Sequence, residues 1–86
     1  MSFSAELSLY PLATEQFRPM IKKFIERLQA EPSIEVHSNT MSTQIFGHFQ
    51  DVMAVLTREL DLLYQEVPTQ VLVCKFINSD LRPKHD

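Results

Sequence analysis

The sequence contains one glycine, Gly47, one cysteine, Cys74, and no tryptophan. With a single glycine it cannot form the glycine-rich loops that cradle phosphates or the G-x-S-x-G turn of serine hydrolases. The lone cysteine excludes an intrachain disulfide and, within an apolar run, is typical of a core thiol in a reducing compartment. The scattered positions of His37, His48 and His85 give no metal-binding spacing, so we expect no metal site.

Basic residues form no stripe or cluster, and the formal net charge is -3. This balance argues against nucleic acid or an anionic membrane surface as a partner. No apolar run reaches the roughly 18 residues of a membrane span. A secretory signal begins with a basic segment, whereas the first basic residue here is Arg18. We therefore expect a cytoplasmic protein.

Hydrophobic periodicity divides the 86 residues into six elements of a single domain. Apolar and polar residues alternate along the first strand, and apolar residues recur at helical spacing in the two helices. The predicted elements are a strand over Phe3–Leu12, a helix over Pro19–Ala30 capped by Thr14, a hairpin of Ile34–Thr40 and Ser42–Phe46, a helix over Phe49–Glu66, and a strand over Thr69–Ile77, followed by a polar tail at 80–86.

The order β-α-β-β-α-β is that of the split βαβ unit. It predicts a ferredoxin-like α+β domain in which two helices cover one face of a four-stranded antiparallel sheet. Right-handed crossovers give the spatial strand order 4-1-3-2, with strands 1 and 3 in the centre.

The other face of the predicted sheet mixes apolar side chains with hydrogen-bonding groups. Such a face indicates a subunit interface or a ligand cleft, which are compatible, and the remaining alternative is a face exposed to solvent. Because so short a chain buries only about 60 to 65 % of its unfolded surface, we expect a homo-oligomer, a dimer or tetramer, formed through sheet faces. Alternation places on this open face Glu6, Ser8, Tyr10, His37, Asn39, Met41, Ser42, Gln44, Phe46, Val71, Val73, Lys75 and Ile77.

Three segments, SAELSLYPL, MSTQIFGHFQDVMAVL and VLVCKFINSD, resemble the thiamine-binding, YkoF-like family of small domains. The resemblance extends from about Ser4 to Asp80. It implies a ferredoxin-like fold, association through sheets, and binding of thiamine or its hydroxymethylpyrimidine part without catalysis. The sequence departs from the family at His48, where relatives tend to have an acidic residue. The resemblance places near the site Ser8, Tyr10, Met41, Ser42, Thr43 and Gly47.

Together these features predict a flat, aromatic ligand that is cationic or carries an amine. Tyr10 and Phe46 would stack on its ring, and Glu6 would accept hydrogen bonds from the amine or balance the charge. Strict alternation points Thr43 toward the helices, so only a bulge would turn it into the cleft. The predicted ligand-binding residues are Glu6, Ser8, Tyr10, Asn39, Met41, Ser42, Thr43 and Phe46.

The sequence therefore predicts a non-enzymatic binding protein for thiamine or its hydroxymethylpyrimidine moiety, in vitamin transport or salvage, with no other cofactor. The alternative is an ACT-like regulatory module that senses an amino acid. An acylphosphatase-like enzyme would need an arginine in the loop after the first strand, and Pro11 to Gln16 contain no basic residue.

Overall fold

The structure, a computed structural model, describes residues 1–11, 18–39, 41–66 and 69–83. Its elements follow the predicted order, and their ends differ from the predicted ones by at most two residues. The predicted helix cap at Thr14 lies outside the described residues. The elements are β1 (Ser2–Pro11), α1 (Arg18–Gln29), β2 (Ile34–Ser38), β3 (Thr43–His48), α2 (Phe49–Glu66) and β4 (Gln70–Ile77).

The four strands form one antiparallel sheet in the order β2-β3-β1-β4. This arrangement confirms the ferredoxin-like fold and the predicted order, with β1 and β3 in the centre. None of the helices in the described part of the chain is long and apolar enough to cross a membrane.

The core lies between the helices and one face of the sheet. Phe24 and Leu28 of α1 are buried, as is Leu56 of α2, because their apolar stripes face the sheet. Ala5 and Leu7 of β1 meet them from the sheet side. The predicted assignment of β1 side chains to the two faces is therefore correct.

Gly47 belongs to this packing. A Cβ added there would lie 3.3 Å from the Ser33 carbonyl oxygen and 3.5 Å from a methyl carbon of Val52. Those contacts are with the chain before β2 and with α2. The absence of a side chain at Gly47 therefore lets these two segments pack closely against β3 on the helix side of the sheet. Its missing side chain does not open space on the other face.

An ion pair joins the two helices. Glu59 of α2 is only 3 % exposed, and its Oε2 lies 2.5 Å from Nε of Arg27 on α1. Arg58 Nε lies 3.3 Å from Oε1 of the same carboxylate. A buried carboxylate is tolerated when it is paired and hydrogen-bonded, so Glu59 stabilises the relative placement of the helices only while Arg27 is present.

We expect Glu59→Ala to lower the free energy of unfolding by about 2 to 3 kcal/mol, since it leaves Arg27 partly buried without its partner. Urea denaturation followed by circular dichroism measures the change. Glu66→Ala, at an exposed position at the end of α2, is the matched control and should stay within about 0.5 kcal/mol of the wild type. Equal midpoints for both variants would contradict the role of the pair.

Candidate functional site

The open face consists of rows of side chains that run across the strands. Residues directly opposite one another in an antiparallel ladder point to the same side, so the register defines each row. From one end of β1 to the other, the rows are Ile77–Ser4–Phe46–Glu35, then Lys75–Glu6–Gln44–His37, then Val73–Ser8, then Val71–Tyr10.

Glu6 is the anionic centre of the second row. The Ser42 hydroxyl donates to its Oε2 at 3.1 Å, and Lys75 Nζ lies 3.5 Å from its Oε1. The hydrogen bond from Ser42, aided by the positive charge of Lys75, holds the pKa of the Glu6 carboxyl below its usual value. The side chain is therefore ionised at neutral pH and remains partly open to solvent.

The first row is covered by the segment that follows β4. The Ser4 hydroxyl donates to the Ser79 carbonyl at 2.6 Å and accepts from the Leu81 N–H at 2.9 Å. Farther on, Arg82 Nη1 donates to Glu35 Oε1 of β2 at 3.1 Å. Residues 78–83, here called the strap, thus run from the β4 edge of the sheet to the β2 side.

A pocket of about 260 Å³ lies between the strap and the second row. Phe46, Ile77 and Leu81 give it an apolar wall, while Glu6 and Lys75 supply charge. Sites for drug-sized molecules begin at about 300 Å³, so this space suits a single small ring. Its lining residues are Ser4, Ala5, Glu6, Gln44, Phe46, Lys75, Ile77 and Leu81.

The structure brings some of the predicted site residues together around the β2–β3 turn. Ser42 bonds to Glu6, and the Ser8 hydroxyl donates weakly to the Met41 carbonyl at 3.5 Å. Asn39 Oδ1 accepts from the N–H groups of Met41 and Ser42, at 2.8 and 3.0 Å, so its side chain serves the turn. Met41 is 85 % exposed, and its carbonyl is the group that accepts from Ser8.

Thr43 does not lie on the open face. It pairs with Leu7, and it is buried on the helix side, where its Oγ1 lies 3.1 Å from Ser38 Oγ. The ladders of β3 with β1 and β2 run without a bulge. Because alternation holds along this strand, the predicted place of Thr43 in the cleft is wrong.

Tyr10 and Phe46 are also separated. Phe46 lies opposite Ser4 and Tyr10 is six residues farther along β1, which at about 3.3 Å per residue is roughly 20 Å. We had expected the two rings to stack on one ligand ring. At this distance they cannot do so. Phe46 is 3 % exposed, with the His37 ring 5.7 Å away, whereas Tyr10 is solvent-exposed.

Sequence reasoning missed several pocket residues. Gln44 and Lys75 were assigned to the open face but not to the site, because their proximity to Glu6 depends on the strand register. Ser4 and Leu81 were missed altogether. The available signal for Leu81 was its position as an isolated apolar residue in a polar segment.

Cys74 and His37 do not line this pocket. Cys74 packs against the core, and burial raises the pKa of its thiol, which is typical of an unreactive cysteine. His37 Nε2 lies 2.6 Å from Glu35 Oε2. Within the described ranges, no three His, Cys, Asp or Glu residues group closely enough to hold a metal ion.

No protein-family model and no curated protein matches the chain. Solved structures do. A Streptococcus pneumoniae protein has a TM-score of 0.78 at 18 % identity, over 94 % of this chain and 90 % of its own. A Thermotoga maritima protein, provisionally assigned to thiamine biosynthesis or salvage, has a TM-score of 0.72 at 12 % identity, over 95 % and 85 %. A Bacillus cereus domain of unknown function has 0.70 at 10 % identity, over 99 % and 83 %.

At these identities the likeness shows the fold alone. The chain and these neighbours share the ferredoxin-like arrangement over nearly their whole lengths.

The Ser42 hydrogen bond to Glu6 has a measurable effect on titration. Ser42→Ala should raise the pKa of Glu6 toward the ordinary glutamate value of 4.5, as followed by carbon-13 NMR of the side-chain carboxyl. Ser8→Ala removes a hydroxyl that bonds to Met41 and should leave this pKa unchanged. An unchanged pKa in both variants would show that Ser42 does not bond to Glu6 in solution.

The lowered pKa of Glu6 also predicts how the stability of the fold depends on pH. The pKa of Glu6 is lower in the folded state than in the unfolded state. The ionised Glu6 side chain therefore contributes fully to the free energy of unfolding above about pH 4.5, and this contribution is lost as the pH falls through the folded-state pKa. The stability difference between the wild type and Glu6→Gln should therefore shrink on acidification below pH 4.5. A difference that grows in acid would have the wrong sign.

Proposed function

We propose that the protein binds thiamine or its hydroxymethylpyrimidine moiety, without catalysis, on the open face of the sheet. The observation that carries this proposal is the ionised carboxylate of Glu6 at the border of a one-ring pocket with an apolar wall. A role in vitamin transport or salvage would follow from such binding.

The chemistry of the pocket suits an aminopyrimidine. The exocyclic amine would donate to Glu6, and the amide of Gln44 can both donate to and accept from ring nitrogens. Phe46 and Leu81 would contact the ring itself. Lys75 competes only weakly with the ligand for Glu6, because its pairing with Glu6 at 3.5 Å is solvent-exposed and such pairs contribute little.

Thiamine carries a second, cationic ring that this pocket cannot also hold. Rows on a strand face are about 7 Å apart, so the second ring would lie over the row of Ser8 or beyond, toward Tyr10. There Tyr10 offers an exposed aromatic face for a cation–π contact. Ser8 and Ser42 would orient the linker between the rings.

The Thermotoga maritima neighbour adds support, since its provisional assignment concerns thiamine and it shares the fold.

Calorimetry with thiamine and hydroxymethylpyrimidine tests the proposal with two variants, one that removes a negative charge and one that removes a positive charge. Glu6→Gln should weaken thiamine binding about tenfold or more, because a charge-assisted hydrogen bond is lost. Lys75→Gln should strengthen it, because a competing cation is removed. Glu66→Gln, far along α2, is the neutral control.

Equal affinities of wild type and Glu6→Gln would contradict the site. If the protein bound amino acids and neither thiamine nor the pyrimidine, the ACT-like regulatory role would replace the proposal.

We also propose that a second copy of the chain covers the exposed part of the open face. Val71 and Val73 are each nearly half exposed, and they form an apolar strip on β4 beside Ser8 and Tyr10 of β1. Exposing such a strip costs roughly 25 cal/mol per Å². Phe46, which also lies on the open face, is buried and does not belong to this strip.

Val73→Glu should shift the protein toward monomer, raising the dissociation constant about tenfold or more, because a charge would enter the contact. Sedimentation velocity over a range of concentrations measures this. Leu62→Glu places the same charge at an exposed apolar position on α2 and should not change assembly. A wild type that sediments only as a monomer would contradict the proposed oligomer.

A further inference from the structure

Three hydrogen bonds among the described residues attach the strap to the sheet. On β1, the Ser4 hydroxyl donates to the Ser79 carbonyl of the strap and accepts from the Leu81 N–H. Arg82 bonds to Glu35 on β2 and to Asp80 within the strap. Leu81 remains 57 % exposed. Segments with few buried contacts and exposed ion pairs open at a small fraction of the global unfolding free energy.

What the strap covers differs from the rest of the open face. In its row, Ser4 and Phe46 are buried although no helix lies over them, whereas Val73 two rows away is 46 % exposed. Leu81 and Arg82 both line pockets that also include Phe46. The burial of Phe46 therefore depends on the docked strap.

We propose that the strap is a hinged cover over the pocket, which opens locally while the sheet stays folded. When it is docked, Leu81 completes the apolar wall; when it is released, Phe46 is exposed and the pocket is open at the Ser4 end. The role in ligand entry rests on the proposed function, whereas the opening itself does not. Because Leu81 lines the pocket, a ligand that fills it stabilises the docked strap, and a docked strap stabilises the ligand to the same extent.

Amide hydrogen exchange by NMR tests the opening without any ligand. In the wild type, the Leu81 amide should exchange more slowly than in a free peptide and faster than the central amides of β1. Ser4→Ala should speed its exchange about tenfold or more, and Arg82→Gln should do so by a smaller factor. Ser79→Ala is the matched control, because the Ser79 carbonyl that accepts from Ser4 remains.

Binding of anilinonaphthalene sulfonate, a dye for exposed apolar surface, provides the second measurement. Ser4→Ala should bind more dye than the wild type and Ser79→Ala, while the β1 amides of all three stay protected. A Leu81 amide that exchanges at the free-peptide rate in the wild type would overturn the cover. A Leu81 amide that exchanges together with the β1 amides in every variant would also overturn it.

Thiamine then separates this inference from the proposed function. Slower Leu81 exchange with thiamine, and weaker thiamine binding by Ser4→Ala than by Ser79→Ala, would support both. If thiamine binds no variant but the exchange and dye results hold, the proposed function fails and the hinged cover stands. If thiamine binds Ser4→Ala and the wild type equally although Leu81 is released, the strap is not a cover of the ligand site.

Discussion

Two helices can cover only one face of a four-stranded sheet, and here both lie on the same face. The central strands β1 and β3 therefore have a buried side and a side without a second layer. On the buried side, Leu7 and Ile45 pack against the helices. On the other side, the strap covers one row and the remaining rows meet solvent, so both the pocket and the exposed apolar strip follow from this single constraint.

The composition of the open face gives this constraint a chemical consequence. Glu6 lies in the second row, between the row in which Ser4 and Phe46 are buried and the rows with exposed Val71, Val73 and Tyr10. Its carboxylate is kept ionised by Ser42 and Lys75 without being buried. A fixed anion beside apolar walls favours a flat cationic or amino-bearing molecule over an anionic one, which is why we assign the binding role to this face.

The fold could be predicted because alternation and helical spacing report directly on which side of each element is buried. The same alternation, held along β3, already pointed Thr43 toward the helices. Details that depend on three-dimensional register could not be predicted. The distance between Tyr10 and Phe46 follows from the register of β1 with β3, two strands that are far apart in the sequence and that no hairpin turn connects. The docking of the strap depends on the Arg82–Glu35 ion pair and on the hydroxyl of Ser4, which no sequence pattern distinguishes from a solvated serine.

Chemical-shift mapping of nitrogen-15-labelled protein titrated with thiamine tests the central claim most directly. The account predicts that the largest shifts cluster at the pocket, at Glu6, Gln44, Lys75 and Leu81, and continue along β1 toward Tyr10, while α1 and α2 remain unperturbed. Shifts centred on the outer face of α1, or a saturating response that leaves Glu6 and its neighbours unchanged, would contradict the placement of the site on the open face.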